Sequence, residues 1–262
     1  MMVSNLWKIE VRKLVHNRTF WILTILYFLL MAFVLSSLNS FNITLNNDSD
    51  IQFDKFGIFR FPDIWQWLTY IAGFFMVIPA IVIIITVCNE YEFRTLRQNI
   101  VDGLTRSEFL FSKLITVALL SATSSILLLM LALILGYSYS NNVSFNSMWG
   151  NSHFILSYFL QLLGFLSFAL MLAIIIKKAA LTIGLLLLYT YVIEPIMVYK
   201  LPEKIALYMP LSIIRKLINS PFEKLMGGTL QQQININGVI LTGFYLLLFT
   251  AIAMFVLQKR DL

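Results

Sequence analysis

Six long apolar runs constrain the fold of this chain more than any other feature. They occupy residues 20–38, 64–88, 114–137, 154–176, 179–199 and 239–257 of a 262-residue sequence. A helix of about 20 apolar residues spans the hydrocarbon core of a bilayer, because it rises about 1.5 Å per residue. The runs therefore predict an all-α, polytopic membrane protein with six transmembrane helices. They fill so much of the chain that residues 1–262 are expected to form a single transmembrane domain.

The polar residues are too few for a soluble protein and too scattered for an enzyme. Only 12% of the residues are charged, against about 25% in soluble domains. The single Cys88 and the distant His16 and His153 predict no metal-ligand cluster. The sequence contains no GxxxxGK[ST] loop, and the apolar runs hold no paired carboxylates or Ser/His constellation. We therefore expect no catalytic residue and no bound cofactor in this chain.

Basic residues flank the apolar runs unevenly. With six spans both termini lie on one side, which holds twelve Lys and Arg, whereas the other side holds seven, five of them in the connection after the fifth run. Cytoplasmic segments near spans carry the excess of Lys and Arg. We therefore expect both termini in the cytoplasm, in a multi-pass protein of a plasma membrane or bacterial inner membrane. Because the net charge of +6 flanks membrane runs, we expect membrane lipids as partners and no nucleic acid.

Two segments outside the spans have helical patterns typical of a membrane surface. Residues 5–18, NLWKIEVRKLVHNR, place an apolar stripe with Trp7 opposite a basic face, which predicts an amphipathic interfacial helix. This helix either touches a cytoplasmic partner as an elbow or only anchors the first span. After the fifth run, LSIIRKLI at 211–218 has helical spacing, and Ser220 with Glu223 forms a capping-box pattern. We predict short external helices there.

Residues 89–114, NEYEFRTLRQNIVDGLTRSEFLFSKL, are densely charged but neutral, with four acidic and four basic side chains. Lipid binding explains this poorly, because an anionic bilayer attracts net positive charge. The apolar residues of this segment recur at helical spacing: they are Phe93, Leu96, Ile100, Val101 and Leu104. Asp102-Gly103 would end that helix, and Thr105-x-x-Glu108 would cap the next one. The pattern predicts a short helix that docks into a protein groove, or otherwise a solvated loop.

At these residues the sequence resembles the permease subunits of ABC-2 type exporters. Their loop between spans two and three typically reads E-x-x-x-G-T-L-x-x-L-x-x-x-P-x-[ST]-R-x-x-x-x-x-x-K. Here the pattern falls on Glu90, Thr95, Leu96, the turn at 102–104, Thr105, Arg106 and Lys113. The sequence departs from it at Arg94 and Gly103, in place of Gly and Pro, and at Asn99, in place of the second Leu. The six spans, the amphipathic N-terminus and the helical connection after span five also look like that family.

The resemblance implies one half of an ATP-driven exporter. A second permease copy, identical or similar, would complete the membrane pathway along spans one, two and five. A separate ABC ATPase subunit would hold ATP and Mg, and residues 93–104 would form the coupling helix that docks on it. The residues implied at this contact are Glu90, Glu92, Phe93, Thr95, Leu96, Arg97, Ile100, Gly103 and Arg106.

Glu194 is the acidic residue inside a predicted span, and a carboxylate at that depth is a candidate functional residue. It could line the outer end of the pathway, contact a cationic headgroup or a cation, or pair with a base as a gate. The structural alternative is a pair with Lys200 or Lys204, or contact with water. Pro195 beside it frees a backbone carbonyl near Tyr191.

Two functions remain open on the sequence. The first is the export permease just described, whose apolar spans suit lipids, hydrophobic peptides or drugs better than sugars. The second is a membrane scaffold or mechanical transducer of a resistance, immunity or motility system, which uses the same ATPase coupling but moves no solute. Substrate-stimulated ATPase activity that depends on residues near Glu194 would distinguish the exporter from the transducer.

Overall fold

The computed structural model describes residues 15–16, 18–37, 42–45, 49–52, 58–140, 144–222 and 235–259. Most of the predicted interfacial helix at 5–18 lies outside these residues. The same holds for Glu223 of the capping box predicted at Ser220.

Six helices are long and apolar enough to cross a membrane, which confirms the all-α, six-span prediction. The spanning helices are α1 (Arg18–Ser37), α2 (Ile64–Glu92), α4 (Arg106–Tyr139), α6 (His153–Ile176), α7 (Ala179–Lys200) and α10 (Ile236–Lys259). Short helices connect or extend them: α3 (Thr95–Val101), α5 (Phe145–Trp149), α8 (Glu203–Ala206) and α9 (Pro210–Arg215). A short helix thus lies between spans two and three, and two more lie between spans five and six.

A small β-hairpin was not predicted. Strand β1 (Asn42–Leu45) pairs antiparallel with β2 (Ser49–Gln52), with Ile43 opposite Ile51. Both strands lie in the polar connection between α1 and α2. β-Branched residues at these positions favour extended backbone, but the four-residue strands are too short for a clear alternation in the sequence.

The core of the bundle is built around α6. About 72% of its spanning segment, taken together with α5, is buried, against 17% for α10 and 22% each for α1 and α7. Helix α6 packs against α10, α4 and α2. Gly164 lets the neighbours approach closely, because a Cβ there would lie 3.2 Å from Ile214 and Thr242 side-chain atoms. Helices α1, α7 and α10 therefore form the periphery and expose apolar faces.

Two proline residues coincide with irregular turns in the spanning helices. Pro79 cannot donate to the carbonyl one turn earlier, and α2 narrows to a 3₁₀ turn at Gly73–Met76. Pro195 has the same effect in α7, which widens to a π turn at Tyr189–Ile193. Both irregular turns leave backbone carbonyls that need other partners.

Contacts between connections define two ends of the bundle. At one end the α2–α3 turn, the start of α4, the α6–α7 junction and the end of α10 come together, and Arg106 bonds to Leu257 across it. We call this the basic end, because it carries Arg94, Arg97, Lys177 and Lys178. At the opposite end the Trp65 ring N–H donates to the Met148 carbonyl.

Candidate functional site

The chain reverses sharply between α2 and α3. The Phe93 N–H still bonds to the Asn89 carbonyl, but Arg94 adopts a left-handed conformation with φ 55° and ψ 17°. The Thr95 hydroxyl then donates to the Glu90 carbonyl over 3.3 Å. Arg94 stands where the resembling family usually has Gly, and glycine adopts left-handed backbone without steric cost. This turn points α3 away from the axis of α2.

The second turn follows the predicted capping chemistry. Gly103 has φ 101°, a conformation that suits glycine. The Thr105 hydroxyl accepts from the Glu108 N–H, and the Glu108 carboxylate accepts from the Thr105 N–H over 2.8 Å. This reciprocal pair satisfies two N–H groups at the start of α4. The predicted order of helix, turn and helix is therefore confirmed, and α3 is limited to Thr95–Val101.

The apolar positions of this segment divide into an inner and an outer set. Leu96 is only 2% exposed and belongs to the core, and Ile100 is half-buried against it. Phe93 is 70% exposed and Val101 is 81% exposed. Leu96 therefore anchors α3 to the bundle, whereas Phe93 and Val101 are the apolar side chains available to a partner.

A buried ion pair lies beneath α3. The Lys113 ammonium is 2.7 Å from the Glu90 carboxylate, and both side chains are buried. Glu90 lies near the end of α2 and Lys113 near the start of α4, so the pair joins the two helices that flank α3. The Lys113 Nζ also lies 5.3 Å from the ring centroid of Phe109. Both residues belong to the family pattern identified in the sequence, but their ion pair was not predicted.

Arg106 ties the α3–α4 turn to the last spanning helix. Its guanidinium donates to the Leu257 carbonyl over 2.8 Å and to the Gln258 carbonyl over 2.5 Å. Both carbonyls lie in the last turn of α10, where cations are favourable because the helix dipole is negative there. A residue implied at the partner contact thus also holds two spans together.

A cleft of about 1010 Å³ opens beside α3, between the end of α2 and the α6–α7 junction. Its lining includes four basic side chains: Arg94, Arg97, Lys177 and Lys178. Lys177 is left-handed with φ 63°, and its Nζ lies 5.0 Å from the ring centroid of Tyr91. We call this feature the basic cleft. The sequence pattern did not reveal it, because its two halves lie on different connections.

The turn gathers most of the implied contact residues, and their surroundings differ. Thr95 and Gly103 shape the two turns, whereas Glu92 and Arg97 are exposed and line or flank the basic cleft. Glu194 lies elsewhere, at the opposite end of the bundle.

Glu194 is buried under α9, with only 1% of the residue exposed. Its Oε1 accepts a hydrogen bond from the Ser212 backbone N–H over 2.5 Å. The Arg215 guanidinium donates to the Thr190 carbonyl over 2.5 Å, which satisfies a carbonyl in the π turn. A carboxylate is favourable beside free N–H groups in the first turn of a helix.

The surroundings of Glu194 can be compared with the alternatives that the sequence left open. The Glu194 carboxylate lies inside the bundle and not at its surface. A pair with Lys200 or Lys204 was the structural alternative, whereas among the described residues the Glu194 carboxylate accepts a hydrogen bond from the Ser212 N–H of α9. The carbonyl freed next to Pro195 was predicted near Tyr191, and the neighbouring Thr190 carbonyl receives Arg215. Hydrogen bonds from the Ser212 N–H and the Arg215 guanidinium therefore hold the external helix to span five.

Comparison with known proteins agrees with this geometry. No curated protein matches the chain. A family model described as "ABC-2 family transporter protein" matches residues 4–262, which is almost the whole chain. The six spanning helices and the helix-turn-helix between spans two and three thus lie within one family match, and the chain belongs to the ABC-2 family of transporter proteins.

Proposed function

We propose that this chain is the permease subunit of an ATP-driven ABC-2 type export system. Membership of the family makes it a membrane component of an ABC transporter. The observation that carries the finer proposal is α3 with the turn before it: Val101 at the end of α3 and Phe93 in the turn are exposed, while Leu96 holds the helix to the bundle. A separate ATPase subunit would bind ATP and Mg and receive these two side chains in a groove.

The mounting of α3 supports a mechanical role. The Glu90–Lys113 pair joins α2 to α4 directly beneath α3, and Arg106 joins the following turn to α10. A push on α3 would therefore move the ends of three spanning helices together. A capped helix between two close turns is a rigid lever, since few backbone bonds are free to absorb the displacement.

A second copy of the chain, or a similar one, completes the proposed transporter. The peripheral helix α7 exposes the apolar residues Leu181, Leu185, Leu188, Val192 and Ile196, which recur every three or four positions. This spacing follows one face of a helix. Helix α1 is exposed to a similar extent. These faces fit the interface along spans one and five that the family resemblance implies.

The docking proposal is tested by co-purification of the ATPase from mild detergent. We expect Phe93→Asp and Val101→Asp each to reduce the amount of ATPase recovered with the chain by tenfold or more, because a buried unpaired carboxylate at the contact is costly. Phe145→Asp is the matched control, since Phe145 is a similarly exposed aromatic residue on α5, at the opposite end.

The same experiment can contradict the proposal. If the Phe93 and Val101 variants recover as much ATPase as Phe145→Asp and the wild type, α3 is not the docking helix. Leu96→Asp is unsuitable as a docking variant, because Leu96 lies in the core and its replacement would destabilise the bundle. Size-exclusion profiles of the Phe93 and Val101 variants must match the wild type, so that loss of binding is separated from loss of fold.

A further inference from the structure

The basic cleft has a strongly unequal charge balance. Four cations line it, and the acidic residues that line it are Glu90 and Glu92. The Glu90 carboxylate is 2.7 Å from the Lys113 ammonium, so its charge is already balanced. Among the described lining residues, Glu92 is then the acidic side chain that remains beside the four basic ones. The cleft therefore attracts an anion.

The walls of the basic cleft are apolar and lead towards the membrane. Leu96, Ile176, Ala179 and Ala180 line it alongside the charged residues. Ala179 is the first residue of spanning helix α7. The charged and apolar parts of the cleft therefore meet where the membrane-spanning segment begins.

We propose that the basic cleft binds the headgroup of an anionic phospholipid from the adjacent leaflet. The lipid phosphate would lie among Arg94, Arg97, Lys177 and Lys178, and the start of an acyl chain would lie against the apolar walls at Ile176, Ala179 and Ala180. Guanidinium and ammonium groups bind phosphate oxygens by charge-assisted hydrogen bonds. Basic pockets between transmembrane helices at a membrane surface are typical sites for anionic headgroups. The apolar walls favour a lipid over an acidic peptide, which would leave them in contact with polar backbone.

This assignment goes beyond the proposed export function and does not require an ATPase partner. It places a lipid contact between α3 and the α6–α7 junction. A bound headgroup would join the two connections at the basic end through charge, because Arg94 and Arg97 come from one connection and the lysines come from the other.

The test uses the full-length chain, purified in a mild neutral detergent and titrated with dioctanoyl phosphatidylglycerol under native mass spectrometry. Dioctanoyl phosphatidylcholine and inorganic phosphate are titrated in parallel. The variant is Lys177→Asn/Lys178→Gln, since Asn tolerates the left-handed backbone of Lys177. The control is Lys200→Gln/Lys204→Gln, which removes the same charge from exposed residues at the opposite end.

We expect the wild type and the control to bind phosphatidylglycerol more tightly than phosphatidylcholine. The Lys177/Lys178 variant should bind phosphatidylglycerol about thirtyfold more weakly, because each cation near a membrane surface contributes roughly a factor of five. Inorganic phosphate at the same concentration should not displace the lipid, since it lacks the acyl contacts.

Three outcomes would overturn the lipid assignment. Equal affinity of the variant and the control for phosphatidylglycerol would show that the lipid does not bind in the cleft. Displacement of the lipid by equimolar inorganic phosphate would make the cleft a phosphate site. Retained lipid affinity with loss of the co-purifying ATPase in the Lys177/Lys178 variant would show that the cleft docks an acidic protein surface. A failure of the α3 docking proposal leaves this result unaffected, because lipid binding is measured on the chain alone.

Discussion

Lys113 and Glu90 are charged residues buried between two spanning helices, and their burial has a high cost in free energy unless they are paired. An ammonium and a carboxylate are each strongly disfavoured away from water unless they are paired. Here the two charges lie 2.7 Å apart between α2 and α4. The pairing accounts for an acidic residue at the start of the resembling family pattern and a basic residue at its end. It also fixes the two helix ends that carry α3.

We predict strong coupling between these two residues. Lys113→Met should destabilise the protein by about 3–5 kcal/mol, because it leaves the Glu90 charge buried without its partner. The double variant Glu90→Gln/Lys113→Met should recover most of that loss, since it removes both charges and keeps similar volume. The apparent melting temperature of each variant in detergent, followed by tryptophan fluorescence, measures the effect.

The contrary result is additivity. If the double variant melts at the temperature expected from the sum of the two single changes, the residues act independently and the pair does not hold α2 to α4. Glu92→Gln serves as the control, because Glu92 is an exposed carboxylate one half-turn away.

Single residues also show where the sequence pattern was sufficient and where it was not. The Thr105–Glu108 capping box was predictable because both partners lie three residues apart. The left-handed Arg94 was visible only as a departure from the family pattern, since nothing in the residue type itself predicts φ 55°. The Glu90–Lys113 pair required knowing that α2 and α4 are antiparallel neighbours with both charges at the same depth.

At the scale of elements, the contact between α7 and α9 could not be predicted from the sequence. The helical spacing of 211–218 predicted α9 (Pro210–Arg215), but not where it would dock. Glu194 and Ser212 lie on separate elements, and their hydrogen bond depends on the return of the chain after α8. The π turn, by contrast, follows from Pro195, whose missing N–H was predictable.

We predict that Glu194→Ala releases α9. Without an acceptor the Ser212 N–H is unsatisfied, which costs about 1–3 kcal/mol at a buried site. Hydrogen exchange at residues 210–215, followed by mass spectrometry, should become at least fivefold faster. Glu194→Gln retains the acceptor oxygen and should exchange at nearly the wild-type rate.

Each alternative outcome has a distinct meaning. If Glu194→Gln loosens α9 as much as Glu194→Ala does, the negative charge near Arg215 is what holds the helix. If neither variant changes exchange while substrate-stimulated ATPase activity falls, Glu194 acts in the pathway and the structural role assigned to it is wrong.

At the scale of the whole molecule, six spans were predictable because length and apolarity alone determine them. Their packing was not, since all six runs are similarly apolar and none carries a strong helical stripe. Only the structure places α6 at the centre and α1, α7 and α10 at the periphery. Peripheral helices of a membrane protein contact either lipid or another chain, and the apolar face alone does not distinguish the two.

We predict that the α7 face contacts a second copy, whereas the α10 face contacts lipid. Both Val192 on α7 and Phe244 on α10 are about half exposed, which makes them a matched pair for cysteine cross-linking in a Cys88→Ser background. Across a two-fold interface the same residue of each copy lies near its counterpart. A short bis-maleimide added to native membranes should therefore convert most of the Val192→Cys protein to a covalent dimer and leave the Phe244→Cys protein monomeric on a denaturing gel. Equal yields from the two positions would mean random collision, and a dimer from Phe244→Cys alone would move the interface to α10 and refute the pairing along α7.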